Sequence, residues 1–264
     1  MSRYPTSRFQ NGFKQGGRIF TSGVNSYHNP PVFHDSYYLS AIFPLNTILP
    51  EHSEEAEKFR KLLQPNQSLA AGDYIYHAGD HFTSVYAVCT GTVITVNADN
   101  GCEQINGFYL AGEVAGVDGV ATNHYVNSAI AGEPVDICEI PLLHLEEHSL
   151  EFPSLLRHFF HVISREISDD QRLIAQRNNK EPVKKIATLL LNLSARNYRR
   201  HLSATALRLP MPPAKIGTYL ALSVETLNAV LHDFQRQAAI TIEGKDITIT
   251  NIDILRNYIN PADF

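Results

Sequence analysis

Ser223, Glu225, Thr226 and Asn228 stand in "LSVETLNAV" at spacings that gather them on the open side of a short helix. Residues of these types read base edges: a glutamate accepts from cytosine N4, and an asparagine pairs with adenine N6 and N7. The surrounding stretch, "KIGTYLALSVETLNAVLHDFQ" from Lys215 to Gln235, patterns as two short helices with a tight turn between them. Leu220, Leu222, Leu227, Val230, Leu231 and Phe234 would form its core, and a helical hairpin that merely packs needs the same core. The exposed polar cluster favours a head that reads nucleic acid.

Other candidate chemistry is thinner. Among 12 histidines, His144 and His148 lie at i, i+4 and His158 and His161 at i, i+3, without a third ligand nearby in sequence. His77 and His81 are four apart across a Gly-Asp turn, which is the wrong spacing for the metal site of a cupin enzyme. Three cysteines at wide spacing make neither a disulfide framework nor a four-thiolate metal site. No Ser-His-Asp elbow, phosphate loop or close catalytic carboxylate pair stands out, so no enzyme is expected. A haem held by one His or Cys leaves no sequence pattern and stays open.

Charge is divided unevenly. Residues 1–174 hold 10 Lys+Arg against 20 Asp+Glu, and residues 175–264 hold 12 against 7. A basic C-terminal domain on an acidic body suits phosphate-backbone binding. The apolar content of 44% fits a globular protein. No apolar run approaches the ~20 residues of a membrane helix, and a reducing cytoplasm is the expected setting.

Four segments are expected to position these residues. The first, 1–41, reads as a flexible arm, rich in Gly, Ser, Asn and Pro up to residue 33, with Arg3, Arg8, Lys14 and Arg18. Its role is open between a loose terminus and a contact with nucleic acid or a partner. In the second, 42–151, short alternating strands such as "SVYAVCTGTVITVNADNG" with Gly-rich corners predict a β-barrel or jelly roll. The third, 152–176, is a helix carrying Leu156, Phe160, Ile163, Ile167, Asp170 and Ile174 at alternating spacings of four and three, the seam of a two-stranded coiled coil. Asp170 places two carboxylates face to face in a dimer, which makes pairing weak or conditional. In the fourth, 177–264, helix, strand, two helices and a hairpin around Gly244-Lys245 describe a winged helix-turn-helix.

That order, with "EQINGFYLAGEVAGVD", "CEIPLLHL", "EISDDQ", "LLLNLS" and "IGTYLALSVETL", resembles the CRP/FNR family of bacterial transcription regulators, closest to its FNR branch, over residues 42–260. The resemblance implies an α+β chain with a cyclic-nucleotide-binding-like jelly roll, a dimerisation helix and a DNA-binding head. It implies a homodimer on palindromic double-stranded DNA, with RNA polymerase as a further partner. Lys215, Arg236 and Lys245 would touch phosphates, and Ser223, Glu225, Thr226 and Asn228 would face the groove. Where FNR-like proteins resemble V-E-T-x-S-R, this chain has Asn228 for Ser and Ala229 for Arg. The FNR branch holds an iron–sulfur cluster on three N-terminal cysteines and one in the body. Cys138 matches the last, but "DSYYLSAIFPLN" lacks the others. The CRP branch binds cyclic AMP with a Glu and an Arg, and here Glu113 is followed by Asn127-Ser128. Neither input is expected. The rival readings are a relative that has lost DNA and acts through protein contacts, and a haem- or redox-sensing regulator.

Overall fold

The computed structural model describes residues 67–99, 102–142 and 180–259, together with Glu54, Pro153, Arg157, Phe160, His161, Ile163 and Ser164. The expected segment boundaries at 41/42, 151/152 and 176/177 lie outside the described residues. Eight strands build the barrel: β1 (Gln67–Leu69), β2 (Tyr74–Tyr76), β3 (Ser84–Thr90), β4 (Thr92–Asp99), β5 (Cys102–Leu110), β6 (Val114–Ala115), β7 (Ser128–Ala131) and β8 (Val135–Pro141). They form two four-stranded sheets, ordered β1-β8-β3-β6 and β2-β7-β4-β5, with every pairing antiparallel. The "NADNG" corner joins β4 to β5, with Asp99 opposite Cys102. Gly91 turns β3 into β4 at φ 74, and a Cβ there would lie 2.4 Å from the Pro134 carbonyl oxygen. Only glycine fits both demands.

In the first sheet β3 is buried from Ser84 to Cys89, and β8 sets two carboxylates among its buried residues. On β8, Val135, Ile137 and Ile140 face the interior, while Asp136 and Glu139 point outward onto hydroxyls. Ser68 and Thr90 donate to Asp136, and Ser84 donates to Glu139 at 2.6 Å. The second sheet is apolar on both faces. Val93, Ala129 and Ala131 line the barrel core, whereas Ile94, Val96, Ile105, Phe108, Leu110 and Ile130 belong to a second core shared with the C-terminal domain. A strand with two covered faces reads as a continuous apolar run, which is why "TVITV" does not alternate.

The C-terminal domain is α1 (Pro182–Arg199), β9 (Ala206–Arg208), α2 (Pro213–Leu220), α3 (Val224–Arg236), β10 (Ile240–Glu243), β11 (Asp246–Ile249) and α4 (Ile252–Arg256). Proline opens both α1 and α2, where its missing N–H is no loss. The strands form one sheet ordered β10-β11-β9, turning at Gly244 with φ 64. Ile186, Leu190, Leu193, Ile216, Tyr219 and Phe234 are buried at its centre. No helix among the described residues is long and apolar enough to cross a membrane.

Cys89 on β3 and Cys138 on β8 are buried in the barrel. Burial pushes their thiols up to about 12 and about 11 respectively. Both therefore stay protonated at neutral pH, and the thiolate is the reactive species. Iodoacetamide at about pH 8 should leave both unmodified in the folded protein and alkylate both in concentrated urea, as read by peptide mass mapping. Rapid native labelling of either would show that the barrel opens there.

Candidate nucleic-acid interface

The two helices α2 and α3 meet through a turn of three residues. Ala221 takes positive φ, Leu222 N–H donates to the Gly217 carbonyl at 2.8 Å, and a Cβ on Gly217 would lie 2.7 Å from the Leu222 oxygen. That close approach fixes the crossing of the helices. Ser223 then caps α3, its Oγ accepting from Thr226 N–H at 3.1 Å and lying 3.1 Å from Thr226 Oγ1. Lys185, buried in α1, donates from Nζ to the Leu220 carbonyl at 2.7 Å and ties the first helix of the domain to this turn.

Beyond the cap, α3 divides cleanly. Leu227, Val230, Leu231 and Phe234 are buried, while Glu225, Asn228, Ala229, His232 and Arg236 are exposed. Glu225 and Asn228 thus share the open face, one turn apart. Hydrogen bonds from its own backbone N–H and from Ser223 hold the Glu225 carboxyl below the ordinary carboxylate range. Ser223 and Thr226 sit beside them but are engaged with each other as the cap. His232, on the same face a turn beyond Asn228, is a candidate that sequence reading passed over; its i+4 spacing from Asn228 was the available signal.

The expected phosphate cations are differently placed. Lys215 is exposed on α2. Arg236 is ion-paired with Asp233 one turn back. Lys245, in the β10–β11 turn, lies 3.8 Å from Glu133 of the barrel. Of the expected dimer seam, Phe160 is helical and 63% exposed, and Ile163 is helical and half-buried. Leu156, Ile167, Asp170 and Ile174 lie outside the described residues.

What positions this head is a charged contact that sequence reading missed. Arg196, near the end of α1, grips Glu113 in the β5–β6 turn with both prongs: Nε donates to Oε1 at 2.7 Å and Nη2 to Oε2. Nη2 also donates to the Phe108 carbonyl at 2.9 Å, and the guanidinium lies 4.4 Å over the Phe108 ring. The other edge of the arrangement is Tyr219 of α2, edge-on to Phe108 at 5.4 Å. Both charged side chains are largely buried, at 11% and 17% exposure. Burial alone would push Glu113 up, but the Arg196 charge, its hydrogen bonds and the Leu110 N–H bring it below the ordinary value.

The same geometry tests the cofactors that the fold implies. Glu113, the residue available for a ribose, is already bound by Arg196. Asn127, at the position that the resemblance gives to a guanidinium, donates to Asp118 at 3.0 Å from both its backbone and side-chain N–H groups. A carboxylate at that place opposes an anion, so the residues do not fit cyclic AMP. Cys89 and Cys138 are buried within strands with their thiols raised, which does not suit thiolate ligands of an iron–sulfur cluster either. Among the described residues, no group of three or more His, Cys, Asp or Glu could hold a metal ion.

A jelly-roll barrel joined to a capped, open-faced helix-turn-helix with a wing defines a DNA-binding regulator. Comparison with known proteins agrees. Residues 66–148 match the cyclic nucleotide-binding domain model, and residues 184–258 match the Crp-like helix-turn-helix domain model. The chain is 39% identical over 210 residues to the transcriptional activator protein Anr of Pseudomonas protegens, covering 79% of this chain and 86% of that one. It is 35% identical over 208 residues to the fumarate and nitrate reduction regulatory protein of Escherichia coli, covering 78% and 82%. In fold it matches FixK2 of Bradyrhizobium japonicum with a TM-score of 0.66 at 24% identity, covering 74% of this chain and 97% of that one. The chain belongs to the CRP/FNR family and is a DNA-binding transcriptional regulator of that type.

Removing one partner of a buried ion pair strands the other. Glu113→Gln and Arg196→Gln should each lower unfolding stability by about 3 kcal/mol, with the double variant far from additive. Because Glu113 is held below its unfolded value, its contribution is complete at neutral pH. It is lost as pH falls below roughly 4, through the lowered folded value. Urea unfolding of both singles and the double at neutral and acid pH reads all of this. Additive losses would mean that the pair contributes nothing as a pair.

Proposed function

We propose that the chain works as a homodimer on a palindromic duplex site, with Glu225 and Asn228 reading base edges in the major groove. Lys215, Arg236 and Lys245 supply phosphate contacts, the last two after leaving Asp233 and Glu133. The observation that carries this reading is the capped helix α3, whose buried face is wholly apolar and whose open face holds Glu225 and Asn228. Pairing is supported by Phe160, an exposed large apolar residue on a helix whose apolar spacing suits a partner helix. The poor fit of Glu113, Asn127 and Cys138 to either familiar cofactor supports an input other than cyclic AMP or an iron–sulfur cluster. Relatives named as transcriptional activators support RNA polymerase as a second partner.

Selection from random duplex DNA should enrich a palindrome with ~10 bp between half-site centres. Asn228→Ala should weaken the preference at one base pair by ~1–3 kcal/mol per half-site. Ala229→Arg should add a preference for guanine of similar size. Selection that enriches no sequence, with binding that merely falls steeply with salt, would leave only phosphate attraction and overturn the reading.

A further inference from the structure

Beside the Arg196–Glu113 pair, a cleft of about 700 Å³ opens between the barrel and the head. Its volume is that of a small-molecule site, and its accessible apolar lining includes Pro134 from the barrel and Leu202 and Ala206 from the head. The charges around it cancel in pairs with one exception. Arg208 lies 3.8 Å from Asp246, Lys245 lies 3.8 Å from Glu133, and Arg196 holds Glu113. Arg200, which lines the cleft, donates to the carbonyls of Arg196 and Ala111 at 3.3 and 2.8 Å and to the Asn197 side-chain oxygen. Those partners are all uncharged, and among the described residues no carboxylate pairs with it directly.

A guanidinium has five N–H donors, and three bonds leave two uncommitted. Burial, together with the neighbouring Arg196 and Arg199 charges, opposes the Arg200 cation, and Glu113 offsets this only in part. An incompletely compensated, partly buried cation beside an apolar surface selects an anion that carries an apolar body.

We propose that this cleft binds a small organic anion, its carboxylate or phosphate on Arg200 and its apolar body on Leu202, Ala206 and Pro134. Because the walls come from both domains, such a ligand joins the head to the barrel. The proposal concerns a site apart from the reading face, and its test contains no DNA, so it stands or falls independently of the DNA reading.

Calorimetric titration of the full chain with phenyl phosphate and with benzoate tests it, with benzyl alcohol as the uncharged comparison. At least one anion should bind saturably, about tenfold or more tighter than benzyl alcohol. The stronger of the two identifies the head group. Arg200→Gln removes the charge, and Thr248→Trp fills the cleft from its exposed rim without touching the Arg200 bonds. Each should weaken binding by about tenfold or more. Thr248→Trp keeps the test decisive if the Arg200 variant fails to fold. No saturable binding of either anion, equal binding of benzyl alcohol, or unchanged binding in either folded variant would overturn the proposal.

Discussion

A bidentate ion pair between Arg196 and Glu113 sets the relation of the two domains. Two charges taken out of water are unfavourable unless their hydrogen bonds are complete. Here they nearly are: Glu113 accepts from both prongs of the guanidinium and from Leu110 N–H, and Arg196 adds the Phe108 carbonyl. The pair is satisfied in one arrangement only. The guanidinium over Phe108 fixes the ring, the ring receives Tyr219, and Tyr219 sets α2 and with it the turn into α3. The apolar outer face of the second sheet follows from the same contact, since that face is covered by the head. Charge assists at longer range, because residues 67–142 contain no lysine or arginine.

This contact changes what the barrel does. A glutamate in the β5–β6 turn can hold a ligand inside the barrel or a partner outside it, but its two oxygens cannot serve both. With Glu113 given to Arg196, and Asn127 before β7 given to Asp118, these polar groups are turned to internal structure. The barrel then offers the head a platform. Lys245, 3.8 Å from Glu133, adds a second charged contact between the wing and the barrel.

Much of this was legible in the sequence, and the limits have physical causes. The barrel strands were visible because Gly-rich corners punctuate them, and the head because its apolar core repeats at helical spacing around a short turn. The open face of α3 was visible for the same reason. The docking was not. Arg196 and Glu113 are 83 residues apart, and nothing in "SARNYRR" says which acid it meets. The doubly apolar β4 gives no clue to what covers its second face. Lys245 was assigned by type alone, and its carboxylate comes from a distant turn. For Arg236 the signal was present, since Asp233 stands three residues before it on the same helix.

Under the proposed DNA reading, α3 discriminates without an arginine beside Glu225 and Asn228. Arg236 is the one arginine or lysine of α3, and Asp233 neutralises it. Until a phosphate draws Arg236 from Asp233, attraction to the duplex rests on the N-terminal end of the helix dipole and on residues outside α3. What α3 presents instead is an ionised Glu225 and a neutral Asn228. A carboxylate pressed into the groove is unfavourable unless cytosine N4 satisfies it, so its contribution lies chiefly in penalising the wrong base. Ala229, in place of an arginine, adds neither attraction nor penalty. In the proposed reading, such a head discriminates mainly by rejecting the wrong base.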